Sequence, residues 1–310
     1  MKTILTILLS LATIFAAEAK KSPAPFRVGT SMSAFKGLKN LNYDHFKEAK
    51  EAGLDCIEMS FGEFLNGKLT DEQIRETLQQ IQLDAQAAGI EIWSVHMPFG
   101  QEIDLSHTNE AIRSKTVDLQ KKMIEYCAIL QPKIVLFHPS WYLGLNEREA
   151  RIAQLIRSVE ELNPLVRKIG ATMVIENMLG YELLRSEKYE RPLCRTVEET
   201  VQIMNRMPKT VYAAVDMNHI DNPELLIEAL GSRVRTVHVS DGDGRNECHY
   251  LPCNGKGDND WNKILGALYQ ARYNGPFMYE VKASDIDSIG ELVSCYRTLY
   301  ENYLVAEGLK

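Results

Sequence analysis

From residue 27 onward, short β-rich runs alternate eight times with longer stretches of helical spacing. The predicted strands are 27–32, 55–61, 91–99, 133–140, 172–178, 211–220, 234–240 and 276–282. They are rich in Val, Ile and Phe in nearly continuous runs, the pattern of strands covered on both faces. Between them, 71–88, 109–130 and 147–169 repeat apolar residues at helical spacing. Local signals agree with this reading. Thr70 precedes one helix with Gln73 three residues on, a capping-box pattern, and Gly89 and Gly170 stand where two helices stop. No Pro/Ser-rich or low-complexity stretch divides the chain. Eight strand–helix units in about 280 residues predict an α/β fold, a single (β/α)8 TIM barrel. The alternative, a doubly wound open sheet, lacks its Gly-rich turn after the first strand, and eight units are many for it.

The first nineteen residues stand apart from this period. Lys2 gives a positive start, 4–15 is a short apolar run, and Ala17-Glu18-Ala19 is a small-x-small cleavage signal. The pattern predicts a secretory signal peptide over 1–19, leaving 20–310 as the barrel domain of an exported protein, periplasmic or secreted. A short uncleaved anchor is the competing reading. The run is too short to span a bilayer and no later stretch of 18 apolar residues follows, so no membrane span is expected after cleavage.

The 310 residues are 45% hydrophobic and 25% charged, which excludes disordered, collagenous and coiled-coil classes. A net charge of −7 disfavours a nucleic-acid partner, whose phosphates are held chiefly by Lys and Arg. All six cysteines follow the predicted cut. Cys56 and Cys127 sit in apolar patterns and read as buried thiols. Cys248 and Cys253, close together in one loop, are the expected disulfide pair, and free thiols are expected elsewhere.

In such a barrel the chemistry gathers where strands end and loops begin. Of seven histidines, His96, His138, His219 and His238 fall at predicted strand ends, and His249 falls in the loop after the seventh strand. Glu58, Glu176, Asp216 and Glu280 join them at the same level. One such histidine reads as a hydrogen-bonded core residue; five beside four acids read as a site for a divalent metal, whether Mn, Zn, Co, Fe or Mg. Burying so many acids without a cation is costly. Trp141, just past His138, suits stacking on a substrate ring or packing at the rim. Asn254-Gly255-Lys256-Gly257-Asp258 reads as a plain βα loop whose Lys256 could face the site, and Lys282 shares a face with Glu280. Glu58 suits either a substrate contact or a supporting acid. The chain has no Gly-x-Ser-x-Gly elbow, no Walker loop and no zinc-finger cysteine pair.

The runs Ser94-Val95-His96-Met97-Pro98, Phe137-His138-Pro139, Ile175-Glu176-Asn177, Val215-Asp216-Met217-Asn218-His219, His238-Val239-Ser240-Asp241 and Tyr279-Glu280 carry a resemblance. Over roughly residues 27 to 305 the chain resembles the xylose-isomerase-like barrel family of sugar isomerases, ketose 3-epimerases, inosose dehydratases and endonuclease IV-type AP endonucleases. Resemblance to the ketose epimerases implies one divalent metal on Glu176, Asp216, His238 and Glu280, with Glu176 and Glu280 as the acid–base pair. It implies substrate contacts from His96, His138, His219 and Arg245, beside Trp141. The loop carrying Arg245 is one residue longer than the family pattern. The implied activity is isomerisation or epimerisation of an unphosphorylated sugar or polyol by proton transfer next to a carbonyl. A keto-sugar lyase, dehydratase or hydratase is the alternative.

The endonuclease pattern implies further metals, one on His96, His138 and Glu176 and another on His219 and His249, with Glu247 where that branch has Asp. Export and acidity count against DNA as substrate. A non-catalytic carbohydrate-binding barrel remains as a different class, opposed by the intact acid–base pair. The expected partners are a small sugar or polyol and a second copy in a homo-oligomer.

Overall fold

A computed structural model describes residues 22–35 and 41–310, apart from the side chains of Glu63 and Asn66. The leader expected over 1–19 lies outside these residues. Each of the eight apolar runs holds one barrel strand: β1 (Val28–Ser31), β2 (Cys56–Ser60), β3 (Glu91–His96), β4 (Ile134–Phe137), β5 (Thr172–Glu176), β6 (Tyr212–Asp216), β7 (Val234–His238) and β8 (Phe277–Tyr279). Neighbours pair in parallel from β1 through β7, and β8 returns to β1 with Val28 opposite Phe277. The ring closes between β7 and β8 through one bridge, Val239 to Tyr279. There the Val239 N–H donates to Met278 O at 2.7 Å and the Glu280 N–H to Val239 O at 3.0 Å.

The outer layer is α1 (Tyr43–Glu51), α2 (Asp71–Ala88), α3 (Glu110–Leu130), α4 (Arg148–Lys168), α5 (Val197–Arg206), α6 (Pro223–Leu230), α7 (Trp261–Gln270) and α8 (Gly290–Ala306). The Thr70–Gln73 capping box forms, and Gly89 ends α2 at φ 73°, a left-handed turn that costs glycine little. Most of the core lies between strands and helices. A smaller plug of Ile134, Leu136, Val174 and Ala214 fills the barrel itself.

The period of two along a strand turns this plug into the foundation of the site. Leu136 is followed two residues later by His138, Val174 by Glu176 and Ala214 by Asp216, each pair sharing one face. On β7 the same step runs from Thr236 to His238. A bulge in β3 sets Ile92 against Ile57 but Ser94 against Glu58, leaving Trp93 as the extra residue. Its indole Nε1 donates to Thr236 Oγ1 at 3.2 Å.

At the opposite end of the barrel, residues 22–26 are clamped by aromatic side chains. The Phe26 N–H donates to Tyr296 Oη at 2.5 Å, and Tyr269 Oη donates to Ala24 O at 3.1 Å. The Phe26 ring stacks on Tyr269 with centroids 4.5 Å apart.

Cysteine pairing corrects the sequence reading. Cys253 bonds to Cys295, not to Cys248. The loop after β7 doubles back through the Asp241–Tyr250 bridge, and a 3-10 turn, Pro252–Asn254, carries Cys253 to α8. Cα atoms of the bonded pair lie 5.7 Å apart although 42 residues separate them. Cys56, Cys127 and Cys194 are buried free thiols as expected, and Cys248 is half-buried and free. Closing a loop of that length constrains the unfolded chain by about 4 kcal/mol in the chain-entropy account. Cys253→Ser with Cys295→Ser is therefore expected to lower the melting temperature by roughly 10 °C, read by scanning calorimetry. An unchanged melting temperature in this variant and under reductant would show that the bridge contributes nothing.

Candidate metal centre and active site

Three groups of donors sit side by side at the C-terminal ends of the strands, each with its ligand atoms within 4.8 Å of one another. The central group is Glu176, Asp216, His238 and Glu280. His238 Nδ1 lies 2.7 Å from Glu176 Oε1, 2.9 Å from Glu280 Oε2 and 3.9 Å from Asp216 Oδ2. Its other nitrogen, Nε2, is 3.0 Å from Glu58 Oε1, and Glu58 Oε2 accepts from Ser94 Oγ at 2.6 Å. Glu58 lies beside Nε2 as an ion-pair neighbour without hydrogen-bond geometry, while Nδ1 faces the three carboxylates; an outer carboxylate beside a metal-binding imidazole is a common arrangement. Glu58 is thus a supporting acid.

Glu176 links the centre to His96 and His138, whose Nε2 atoms lie 3.6 Å and 3.1 Å from its Oε2. Asp216 links it to a third group with His219 and His249. Here sequence spacing alone left Asp216 in the central set only. His219 Nδ1 is 3.5 Å from Asp216 Oδ2, and Glu247 Oε2 lies 3.1 Å from His219 Nε2 and 3.0 Å from His249 Nε2.

Two asparagines hold the frame. Asn177 Nδ2 donates to Asp216 O at 3.0 Å while its Oδ1 accepts the Asp216 N–H at 2.8 Å. Asn218 Oδ1 accepts the N–H groups of Cys248 at 3.2 Å and His249 at 3.1 Å, fixing the loop that carries Glu247 and His249. Gly242 packs against that amide, where a Cβ would collide with it.

The donors fit a divalent cation. Glu176 Oε2 and Asp216 Oδ2 are fully buried and accept no hydrogen bond, an arrangement whose desolvation cost a cation would offset. Mixed imidazole and carboxylate donors suit Zn, Mn, Fe or Co. Burial pushes the Asp216 carboxyl up to about 7, against the pull of His219 and His249. Burial works against charge on His238 too, yet Glu280, Glu58 and Glu176 hold it protonated well above the ordinary histidine range. Likewise His219 resists burial and rises to about 10 beside Asp216 and Glu247. Without a cation, imidazolium charge takes its place.

These groups form the floor of a cavity of about 720 Å³. Phe35, Phe99, Trp141, Tyr142, Met178 and Leu179 supply its apolar wall, and among the described residues no Lys or Arg lines it. Phe99 stacks on the His138 ring with centroids 3.7 Å apart. Two loops make most of this wall, and a short antiparallel ladder, Leu143–Gly144 with Tyr189–Glu190, zips them together. Arg148 braces the ladder through Glu190 Oε2 at 3.1 Å and the Arg191 carbonyl at 2.6 Å.

Of the residues the sequence singled out, Glu58, His96, His138, Trp141, Glu176, His219, Glu247, His249 and Glu280 line the cavity. Asp216 and His238 lie just beneath, fully buried. Arg245 is placed differently from the resemblance. Its N–H turns back onto Asp243 Oδ1 at 2.9 Å, and its exposed guanidinium lies over the Tyr181 ring at 5.1 Å, outside the cavity lining. Lys256 sits over Tyr250 at 5.5 Å, and Lys282 Nζ donates to Glu247 O at 2.9 Å; neither lines the cavity. The wall residues Phe35, Phe99, Tyr142, Met178 and Leu179 gave no sequence signal, because their composition is that of any core.

The fold is shared with solved structures. A D-tagatose 3-epimerase-like protein superposes with a TM-score of 0.72 over 91% of this chain and 99% of its own, at 20% identity. The 3-keto-D-glucoside 4-epimerase of E. coli superposes at 0.69 over 88% and 99%, at 16% identity. A probable endonuclease 4 of Thermotoga sp. is 32% identical over 95 residues, 29% of this chain and 32% of that protein. The model of the xylose isomerase-like TIM barrel family matches residues 46–299. With the barrel and its strand-end donors in place, the chain belongs to that family.

Proposed function

We propose that this protein is a metal-dependent isomerase or epimerase that moves a proton next to a carbonyl of an unphosphorylated sugar or polyol. The observation that carries the reading is that Glu176 and Glu280 flank one imidazole nitrogen and line one cavity together, with no Lys or Arg among its described lining residues. A phosphate would call for such cations, so the lining suits a neutral substrate and counts against a phosphodiester. The names of the two structural neighbours, one a D-tagatose 3-epimerase-like protein and the other a 3-keto-D-glucoside 4-epimerase, support the same class.

Glu176, Asp216, His238 and Glu280 would hold the cation, which would polarise a carbonyl and its adjacent hydroxyl and so acidify the C–H between them. Glu280, 25% exposed on its side chain, reaches the open cavity, whereas Glu176 is 1% exposed against the floor. The two carboxylates remove and return the proton from different sides. His96, His138 and His219 are placed to position hydroxyls, and Trp141 presents a ring face to the sugar. Export is part of the proposal, supported by the leader pattern over 1–19 and by the Cys253–Cys295 bridge, which suits an oxidising compartment.

The test is incubation of metal-loaded protein with free ketoses in deuterated water. Carbon-bound deuterium, with an epimer or isomer accumulating by NMR, is the expected result. Loss of a hydroxyl from the labelled product would move the assignment to a lyase. No deuterium in any sugar would leave a binder or a nuclease and overturn the proposal.

A further inference from the structure

We infer that Ser31 determines specificity: its oxygen offers the cavity lone pairs and no proton, and selects a ligand that sets a hydroxyl or amino group upon it. This rests on the reading of the cavity as a sugar site and deepens it. The ground is the end of β1. Gly29 lets this strand lie close between its neighbours, since a Cβ there would stand 2.7 Å from Cys56 Sγ and 2.8 Å from the Met278 methyl. The strand then runs into a 3-10 turn, Met32–Ala34, that brings Ser33 back to Ser31. Both serines line the cavity.

A hydroxyl carries one proton, and the acceptors here decide where each proton goes. Ser33 Oγ lies 3.0 Å from the Val281 carbonyl oxygen, which can only accept, so the Ser33 proton is used there. The two serine oxygens are 2.5 Å apart, so the proton between them belongs to Ser31. Ser31 is 6% exposed, and among the described residues no N–H or O–H donates to its Oγ. Lone pairs are what it has left for the cavity, and a buried acceptor without a partner is costly.

The neighbours of Ser31 add acceptors of their own. Ser31 stands opposite Glu58 in the β1–β2 register. Thr30 stands opposite Tyr279 across β1 and β8, and one residue further on the same register brings Ser31 beside Glu280. Both acids line the cavity, and Glu58 Oε2 already takes the Ser94 proton. Lone pairs therefore crowd this side of the floor. A ligand oxygen without a proton, as in an ether or a carbonyl, is repelled there, and so is the fluorine of a C–F bond. A hydroxyl satisfies Ser31 by donating to it, and a site built for that contact rejects a ligand lacking it. Ser60, on the same side of the cavity, supplies the contrast. Its N–H donates to Met32 Sδ at 3.2 Å, and among the described residues its Oγ has no hydrogen-bond partner, so it can meet either kind of group.

Calorimetry on the metal-loaded protein with D-fructose, D-tagatose and their monodeoxy and monodeoxyfluoro derivatives tests the assignment. At one carbon the deoxy and deoxyfluoro sugars should both bind about tenfold more weakly than the parent, because fluorine replaces the oxygen but brings no proton. Ser31→Ala should erase that difference by weakening the parent, and Ser60→Ala should leave it in place. A neutron structure of the deuterated protein should show the Ser31 deuteron directed at Ser33 Oγ and the Ser33 deuteron at Val281 O. The assignment is overturned by deoxyfluoro sugars that bind like the parent at every carbon, or by a Ser31 deuteron turned into the cavity. It is equally overturned by a difference that survives Ser31→Ala or that Ser60→Ala erases as fully. If the difference behaves as expected but no sugar takes up deuterium at carbon, the proton-transfer reading falls and Ser31 keeps its role in a binding protein. If sugars exchange deuterium without the difference, that reading stands and the role of Ser31 falls. Binding of none of these sugars overturns both.

Discussion

Glu176→Gln and Glu280→Gln are each expected to cut turnover by about 10² or more while most of the metal stays bound. The substitution keeps the size of the side chain and one oxygen donor, and removes the basic oxygen. Both carboxylates are strongly ionised. Burial opposes charge on Glu176, but His238, with His138 and His96 close by, holds it well below the ordinary range. Glu280 is held low in the same way, against burial, by His238 and His249. Such acids can accept a proton only transiently, as a base working beside a cation must.

Their unequal exposure should show in the kinetics of an epimerase. Each variant is expected to slow deuterium exchange from one epimer more than from the other, measured by single-turnover NMR alongside metal analysis. An isomerase or a lyase lacks that mirrored pattern. If both variants turn over normally with metal bound, the two acids are ligands only. The base would then be sought at the Glu247–His249 pair, since Glu58 is engaged by His238 and Ser94, and Lys256 is outside the cavity.

Asp216→Ala and His238→Ala are expected to lower bound metal and melting temperature together, because a ligand that binds only the folded state stabilises it by mass action. Glu58→Gln should weaken metal binding by about 10- to 100-fold through loss of ring orientation alone. Full metal occupancy in both alanine variants would show the central quartet to be wrong.

The same donors set the pH dependence. In the metal-free protein, His238 and His219 have raised values, so the stability they contribute is complete below their ordinary range near 6.5 and is lost as pH rises through the folded values, about 10 for His219. Asp216, raised to about 7, likewise keeps a proton in the folded state that the unfolded chain has released, so its effect falls between about 4 and 7. Glu176, Glu280 and Glu247 have lowered values, and their contribution is already complete above pH 5. Metal must displace the proton on His238 Nδ1. The rise in melting temperature on adding metal is therefore expected to grow from pH 5 to pH 9, and the heat of binding to change with the ionisation enthalpy of the buffer. A rise that is flat across this range would contradict the arrangement.

Much of the barrel was legible because its signals are local. The capping box at Thr70 and the glycine stop at Gly89 fix α2 at both ends, and continuous Val and Ile runs mark strands buried on two faces. Strand ends were read too long: 91–99 against Glu91–His96, and 211–220 against Tyr212–Asp216. Apolar character continues past the last paired residue, but there it builds the cavity wall, as Phe99 does. The donor set was legible because period two projects each strand-end acid or imidazole inward. What failed was long-range pairing. Cys253 finds Cys295 across α7, and Glu58 finds its role through His238, 180 residues away, and no spacing rule reports either contact.

The aromatic clamp on residues 22–26 has a consequence for how the protein can be held. The clamp sits where the strands begin, and the cavity opens where they end, so the two are separated by the height of the barrel. Whatever is joined ahead of Ser22 leaves from the closed base. A bead, a tag or a surface grasping the chain there meets that base, and the mouth points away from the support.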